Sequence, residues 1–198
     1  MRGRAGIIAA ALRGVKENRN AVLTRLRPRC SIAAYRFLLM TDMLIRLYAA
    51  PAAAPAREAL AAQGITIRTC NPFERHIVAD WVGKTFSARW VDEFKVAMGH
   101  QPIGCVIATQ EHRVIGFACF DATARGFIGP MGVDPQVRQG GIGKALLLTA
   151  LEQMRAMGYA YAVVGGVGPQ DFYAKCAGAT VIEGSDPGIY ADILPVPR

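Results

Sequence analysis

The chain has 198 residues, of which 52% are hydrophobic, so it can bury one sizeable core and still carry additional segments. Its net charge of +8 lies entirely in residues 1–39, and the balanced remainder offers no basic face for a nucleic acid or another polyanion. Five scattered cysteines without a C-x-x-C pair argue against a zinc site or a disulfide framework and favour a cytoplasmic protein.

Residues 1–39 contain nine basic residues and one acidic residue, and three interpretations of this basic segment stay open. It can be a targeting peptide, a basic helical extension for a membrane surface or an anionic partner, or translated sequence upstream of a later start at Met40 or Met43. We favour the third interpretation slightly. A transmembrane helix over the apolar stretch 32–50 is not predicted, because charged residues interrupt it at Arg36, Asp42 and Arg46.

The rest of the chain divides into a linker and short helix over residues 40–63 and a predicted domain over residues 64–198. Apolar periodicity and capping residues predict five helices, at residues 57–63, 72–83, 88–97, 142–157 and 169–176. Apolar runs bounded by turn residues predict seven strands, at residues 65–69, 103–109, 114–120, 127–133, 159–164, 181–182 and 189–193. This order predicts an α/β fold of the α+β type, in which a mixed sheet carries helices on both faces.

The most informative segment is the glycine-rich loop within residues 133–146, between a predicted strand and a predicted helix. Such a loop presents consecutive unpaired backbone N–H groups at the positive end of a helix dipole, which suits a phosphate or a pyrophosphate. Its glycines remove the Cβ atoms that would hold a ligand away from the backbone. A P-loop is excluded because Ala145 follows Lys144 where a hydroxyl is required, and only half of a dinucleotide fingerprint is present.

The spacing Arg138-x-x-Gly141-x-Gly143 resembles the acetyl-coenzyme A loop of the GNAT acetyltransferase superfamily, whose motif reads Q/R-x-x-G-x-G/A. A second block, residues 172–179, is similar to the family segment F-Y-x-K-x-G-F/A with one additional residue. The resemblance covers residues 65–194 and implies a GNAT-like mixed, mostly antiparallel central sheet. The turn 165–169 departs from the family, which often has an asparagine there as a pantetheine contact.

The resemblance implies that acetyl-CoA is the co-substrate, held by the loop and by the strand before it. The cofactor-binding residues expected on this basis are Met131, Gly132, Val133, Arg138, Gln139, Gly140, Gly141, Ile142, Gly143 and Lys144. Tyr173 matches the family tyrosine that faces the cofactor sulfur, which implies that it donates a hydrogen bond or a proton to the departing thiolate. No metal ligand is predicted. Asp121 and Glu93 are candidates for a general base, although each is more simply a structural or solvated charge.

We therefore expect a cytoplasmic N-acetyltransferase that moves an acetyl group from acetyl-CoA to a primary amine of a small molecule by direct attack in a ternary complex. Three alternatives stay open: a non-catalytic acyl-CoA sensor, a transferase of a longer acyl group, and transfer to a protein amine. Trp81, Trp90 and Tyr190 are expected in the core or in the wall of the acceptor pocket. Neither a nucleic acid nor a membrane is expected as a partner, and a homodimer is left open.

Overall fold

The computed structural model of this chain describes residues 41–137 and 140–194. The basic segment 1–39 and the predictions made for it lie outside the described residues, as do Arg138 and Gln139. Within the described part, no helix is both long enough and apolar enough to cross a membrane.

The described residues form seven strands and five α-helices. The strands are β1 (Met43–Arg46), β2 (Ile65–Thr69), β3 (Cys105–Gln110), β4 (Arg113–Phe120), β5 (Phe127–Val133), β6 (Tyr161–Val164) and β7 (Thr180–Val181). The helices are α1 (Ala54–Ala61), α2 (Arg75–Thr85), α3 (Ala88–Ala97), α4 (Ile142–Ala156) and α5 (Gln170–Ala177). Helix α1 begins earlier than predicted because Pro55 occupies its first turn, where proline is tolerated.

All seven strands belong to one sheet in the order β2-β3-β4-β5-β6-β1-β7. Neighbouring strands run antiparallel except β5 and β6, which are parallel. The predicted hairpin joins β3 to β4, and its turn residues Glu111 and His112 have φ values of 49° and 61°, as a tight hairpin turn requires. The mixed, mostly antiparallel sheet is therefore confirmed.

Helices cover both faces of this sheet, as predicted. On one face α4 buries its apolar side, including Leu146, Leu147, Leu151 and Met154. On the other face, α2 and α3 share a second core with β3 and β4. The thiols of Cys105 and Cys119 lie opposite each other in that second core, where they act as the small apolar residues that the sequence predicts.

Strand β1 was not predicted, because residues 43–46 fall in the segment read as a linker. Met43 and Ile45 are buried while Arg46 is exposed, which is the alternation of a strand, but four residues are too few to make the pattern visible. The strand pairs with β6 on one side and with β7 on the other. Part of the predicted linker is therefore an internal strand of the sheet.

The predicted last strand, residues 189–193, is wrong. The segment instead contains a 3₁₀ turn, Gly188–Tyr190, which follows Pro187. The side chain of Ile189 is 54% exposed and that of Ile193 is 40% exposed, so the apolar residues that favoured a strand have no buried face to occupy.

An ion pair beside the start of α2 gives a testable pH dependence. The Arg68 guanidinium donates to both carboxylate oxygens of Glu74, at 2.7 and 2.5 Å, and lowers the pKa of Glu74 from 4.5 to about 2. Because the carboxyl of Glu74 has a lower pKa in the folded protein than in the unfolded chain, its ionised form stabilises the fold at pH values above the unfolded pKa. This stabilisation is lost as the pH falls toward 2. We expect Glu74→Gln to lower the free energy of unfolding by about 1–2 kcal/mol at pH 7, with the difference shrinking between about pH 5 and 2.

Urea unfolding of wild type and Glu74→Gln across this pH range measures the effect. Asp80→Asn is the matched control, because Asp80 also pairs with a basic residue, Lys84, but both side chains are more than half exposed. A surface pair of this kind contributes less than about 0.5 kcal/mol. Equal losses in the two variants would contradict the prediction.

Candidate active site

The sheet opens between its two parallel strands. Strands β5 and β6 pair only at Phe127–Val163 and Ile128–Val164, whereas β5 continues along β4 as far as Val133. From Gly129 to Gly132, β5 therefore has a strand on one side only among the described residues. The two strands leave a gap that begins after Ile128 and Val164.

The hydrogen-bond register shows which backbone groups face this gap. The N–H of Asp134 donates to the carbonyl of Ile115 at 2.9 Å, and hydrogen-bonded pairs alternate with non-bonded pairs along an antiparallel ladder. The pair Ala118–Met131 is therefore a non-bonded one, and so is Gly116–Val133. The N–H and C=O of Met131 point away from β4 and into the gap.

Gly132 lies in the intervening pair with Phe117, so its backbone faces β4 rather than the gap. Because Gly132 has no side chain, the ring of Phe86 packs directly against it. A Cβ atom at Gly132 would lie only 2.7 Å from Cε1 of Phe86 and would overlap the ring. Phe86 packs with Trp81, Trp90 and Phe117 in an aromatic cluster under α2 and α3. Trp81 and Trp90 are partly buried and pack against the second core.

The glycine-rich loop leads from β5 into α4 at the open end of the gap. Gly140 and Gly141 have φ values of 87° and 85°, and Gly141 is the N-cap of α4 without any side-chain cap. The first bond closed within the helix is from the N–H of Ala145 to the carbonyl of Gly141. Within the described residues, the N–H groups of Gly140 through Lys144 have no hydrogen-bond partner.

Helix α5 lies against the start of α4. A Cβ atom on Gly143 would meet the ring of Phe172 at 3.5 Å and the side chain of Val133 at 3.7 Å. Burial raises the pKa of the Cys176 thiol on α5, and the charge of Lys144 partly offsets this rise. The two sequence motifs, which lie far apart along the chain, therefore meet at the loop.

Tyr173 is buried in the core on the α4 face, with 8% of its surface exposed. Its ring packs edge-on against Phe172, with ring centroids 5.1 Å apart. Burial raises the pKa of Tyr173 to about 12, so its phenol stays protonated at neutral pH. The described part of the chain provides no hydrogen-bond partner for this hydroxyl, which leaves it available as a donor.

The two candidate bases have different surroundings. Asp121 is buried and uses both carboxylate oxygens, which accept from the N–H of Gly126 and the hydroxyl of Tyr159, each at 2.7 Å. These bonds make it a structural turn residue. Glu93, on α3, is half-buried and accepts a hydrogen bond from the hydroxyl of Thr123.

One contact at the base of the gap has no signal in the sequence. Asp42, just before β1, is buried and accepts a hydrogen bond from the N–H of Gly166 at 2.8 Å. It thereby fixes the turn that follows β6. In the sequence Asp42 is visible only as a charge in an apolar stretch, and nothing local indicates a partner so distant along the chain.

A cavity of about 410 Å³ lies elsewhere, between α2 and the outer strands, with Thr66, Arg68, Thr109 and His112 in its lining. It contains none of the predicted site residues. No group of three or more potential metal ligands occurs among the described residues.

The fold and the loop together define a class. A mixed sheet that opens between parallel strands beside an uncapped, glycine-rich helix start has the form expected of a GNAT-like acetyltransferase. Residues 71–178 match the sequence model of the acetyltransferase (GNAT) family. This match covers more than half of the chain, and the chain belongs to this family.

Solved structures share this fold. The GCN5-related glucosamine N-acetyltransferase region of a fungal multi-domain GH3 β-N-acetylglucosaminidase is 15% identical, with a TM-score of 0.60 over 72% of this chain and 19% of that one. A GCN5-related N-acetyltransferase from Sphaerobacter thermophilus is 24% identical, with a TM-score of 0.58 over 78% of this chain and 54% of that one. This chain therefore spans about one fifth of the length of the fungal protein and about half of the length of the Sphaerobacter thermophilus protein. A search among curated proteins found no match.

Proposed function

We propose that the protein transfers the acetyl group of acetyl-CoA to a primary amine of a small molecule, by direct attack within a ternary complex. Membership of the acetyltransferase family supports acyl transfer in general. The observation that carries the proposal is the row of N–H groups from Gly140 to Lys144 at the start of α4, which have no partner among residues 41–137 and 140–194 and lie beside the gap between β5 and β6.

The residues present fit acetyl-CoA. Gly140 and Gly141 lack side chains, and a Cβ atom built on Gly141 would have nothing within 4 Å, so a diphosphate has open access to the N–H groups. The exposed ammonium of Lys144 adds a positive charge there, and Arg138 and Gln139 complete the loop in the sequence. The backbone carbonyl of Met131 offers an acceptor to an amide N–H of a pantetheine arm, which leaves the N–H of Met131 for the acetyl group.

The thioester of acetyl-CoA supplies an activated acetyl group when it is bound. The N–H of Met131, directed into the gap, is the group we assign to polarise the acetyl carbonyl. The ring of Phe86 packs against Gly132 of β5, and the ring of Phe172 packs against Gly143 of α4. The amine attacks in its neutral form, and we assign no side chain as its base.

Tyr173 is assigned to the departing thiolate. Burial raises the pKa of Tyr173 to about 12, above the ordinary pKa of a thiol of about 8.5, so full proton transfer from the phenol to the thiolate is unfavourable. Donation of a hydrogen bond carries no such penalty. Of the two roles implied by the sequence resemblance, the pKa therefore favours the hydrogen bond over the proton transfer.

Incubation of the full chain with acetyl-CoA and a panel of amines tests the proposal, with the acetylated amine detected by mass spectrometry. Stabilisation by acetyl-CoA against thermal unfolding, together with an acetylated product, supports it. Binding without any product would favour the acyl-CoA sensor instead. Faster turnover with succinyl-CoA or a longer acyl-CoA would favour another donor. Failure to bind any acyl-CoA would contradict the proposal.

A charge reversal at Lys144 separates ligand binding from helix stability. Lys144 is in the first turn of α4, where a glutamate favours the helix dipole but repels a diphosphate. We expect Lys144→Glu to weaken acetyl-CoA binding about tenfold at low salt, while the melting temperature stays equal or rises. Isothermal titration calorimetry and thermal unfolding measure the two effects.

The matched control is Arg155→Glu, which makes the same change in net charge at the other end of α4. Eleven residues of helix separate the two positions by about 16 Å, which exceeds the Debye length at physiological salt. Arg155→Glu is expected to leave the acetyl-CoA affinity unchanged. Equal losses of affinity in both variants would show that only the overall charge matters.

A further inference from the structure

The turn 165–167 forms the second wall of the gap, opposite β5. Strand β6 ends at Val164, which is its last residue to pair with β5. The turn consists of two glycines and a valine, so it has no polar side chain of its own to fix its shape. It leads through Gly168 and Pro169 into α5, which carries Tyr173. The position of this turn therefore affects both the gap and the placement of Tyr173.

The ladder between β1 and β6 is irregular at this turn. Met43 pairs with Val164, so the same register would place Thr41 opposite Gly166. The carbonyl of Thr41 instead accepts from the N–H of Val167, at 3.0 Å. Gly166 is thus an additional residue, and its φ of 53° is the left-handed conformation that glycine adopts in many β-bulges.

Asp42 is the acceptor for the N–H group that this bulge releases from the ladder. Its carboxylate accepts from the N–H of Gly166 at 2.8 Å, and only 7% of the residue is exposed. The C-terminal segment holds its backbone: the N–H of Asp42 donates to the Ser185 hydroxyl at 2.8 Å, and its carbonyl accepts from the N–H of Ile182 at 2.9 Å. Asp42 therefore joins three segments that are distant in the chain.

Aromatic side chains close one face of the same turn. The hydroxyl of Tyr190 lies against Gly165, where a Cβ atom would overlap it, and that Cβ atom would come within 2.8 Å of the Phe127 ring. Tyr190 ends the 3₁₀ turn Gly188–Tyr190 and so belongs to the segment that also holds the backbone of Asp42. The turn is thus packed on one face and hydrogen-bonded to residues 41 and 42 along its edge.

We propose that Asp42 is a positioning residue for the coenzyme: its carboxylate fixes the bulge at Gly166, and the bulge sets the width of the gap that receives the pantetheine arm. This rests on the acetyl transfer proposed above. Asp42 acts through the turn and does not itself touch the coenzyme. The role requires an oxygen acceptor at this position but no negative charge.

Two substitutions in the full chain separate the hydrogen bond from the charge. Asp42→Ala leaves the N–H of Gly166 without its acceptor, and we expect the dissociation constant of acetyl-CoA to rise about tenfold in calorimetry. Asp42→Asn keeps an oxygen acceptor, and its dissociation constant should stay within about threefold of wild type. Wild-type affinity in Asp42→Ala would overturn the proposal. Equal losses in both variants would also overturn it, because the charge rather than the hydrogen bond would then matter.

Asp121→Ala is the matched control for a general loss of stability. Asp121 is 6% exposed and accepts from the N–H of Gly126 at 2.7 Å, but Gly126 lies at the end of β5 and β6 where the two strands are paired. We expect the melting temperature to fall in both alanine variants, because each leaves a glycine N–H without its acceptor. Only Asp42→Ala should weaken acetyl-CoA binding. Similar losses of affinity in the two variants would contradict a specific role for Asp42.

Calorimetry with acetyl-CoA alone needs no turnover, so this inference and the proposed function can fail separately. If wild type binds acetyl-CoA about tenfold more tightly than Asp42→Ala but acetylates no amine, the inference stands and the proposed function fails. If acetylated product forms while Asp42→Ala binds acetyl-CoA as tightly as wild type, the function stands and the inference fails. If wild type binds no acetyl-CoA, the inference is overturned.

Discussion

Replacing Tyr173 with phenylalanine is expected to lower kcat by about 10²-fold and to leave the dissociation constant of acetyl-CoA within about twofold of wild type. Phenylalanine keeps the buried ring and its edge-on contact with Phe172, so the core on this face of the sheet stays filled. Only the hydroxyl is lost. Its hydrogen bond strengthens as negative charge develops on the sulfur, so the effect belongs to the transition state rather than to binding.

Steady-state kinetics and calorimetry on the full chain separate these two quantities. Tyr161→Phe serves as the control, because it removes an exposed phenol from the same protein. The pH profile adds an independent check. Since the pKa of Tyr173 is about 12, its ionisation should cause no fall in kcat between about pH 7 and 10. A Tyr173→Phe variant with wild-type kcat would remove Tyr173 from the reaction and favour the sensor alternative.

The parts of this structure that follow from sequence are those with local signals. Helix α4 repeats its apolar residues every three or four positions and is nearly as long as predicted. The β3–β4 hairpin consists of two apolar runs on either side of a two-residue turn, and the glycine-rich loop has its motif within six residues. In each case the residues that determine the element are neighbours in the chain.

The parts that the sequence did not predict depend on distant partners. Strand β1 is stabilised as a strand by β6 and β7, which lie more than a hundred residues further along. Tyr190 packs against Gly165, and Phe86 packs against Gly132, because neither glycine has a side chain. A glycine in a sequence does not show which side chain fills the room that it leaves.

The same limit applies to the site. The two motifs that resemble those of the family predict the loop and Tyr173 as site residues, because the residues of each motif are close together in the chain. The direction of the Met131 backbone needed the register with β4, since one residue of slip would exchange it with Gly132. The C-terminal segment carries no motif, and only the fold brings the hydroxyl of Tyr190 against Gly165.

The loop itself is tested by Gly141→Val, for which we expect acetyl-CoA binding to weaken about 10²-fold. Gly141 has a φ of 85°, a conformation that a β-branched residue adopts only at a cost of about 1–2 kcal/mol. The loop either relaxes and turns its N–H groups away from the diphosphate, or keeps its shape and places a branched side chain beside them. Both outcomes remove hydrogen bonds to a charged ligand.

Gly158→Val is the matched control, because Gly158 follows the other end of α4, has a φ of 96° and, like Gly141, has nothing within 4 Å of a Cβ atom. The two variants introduce the same side chain under the same backbone strain, so their stabilities should fall by similar amounts. Only Gly141→Val should lose affinity for acetyl-CoA in calorimetry. If the two variants bind acetyl-CoA equally well, the N–H groups at the start of α4 do not hold the coenzyme.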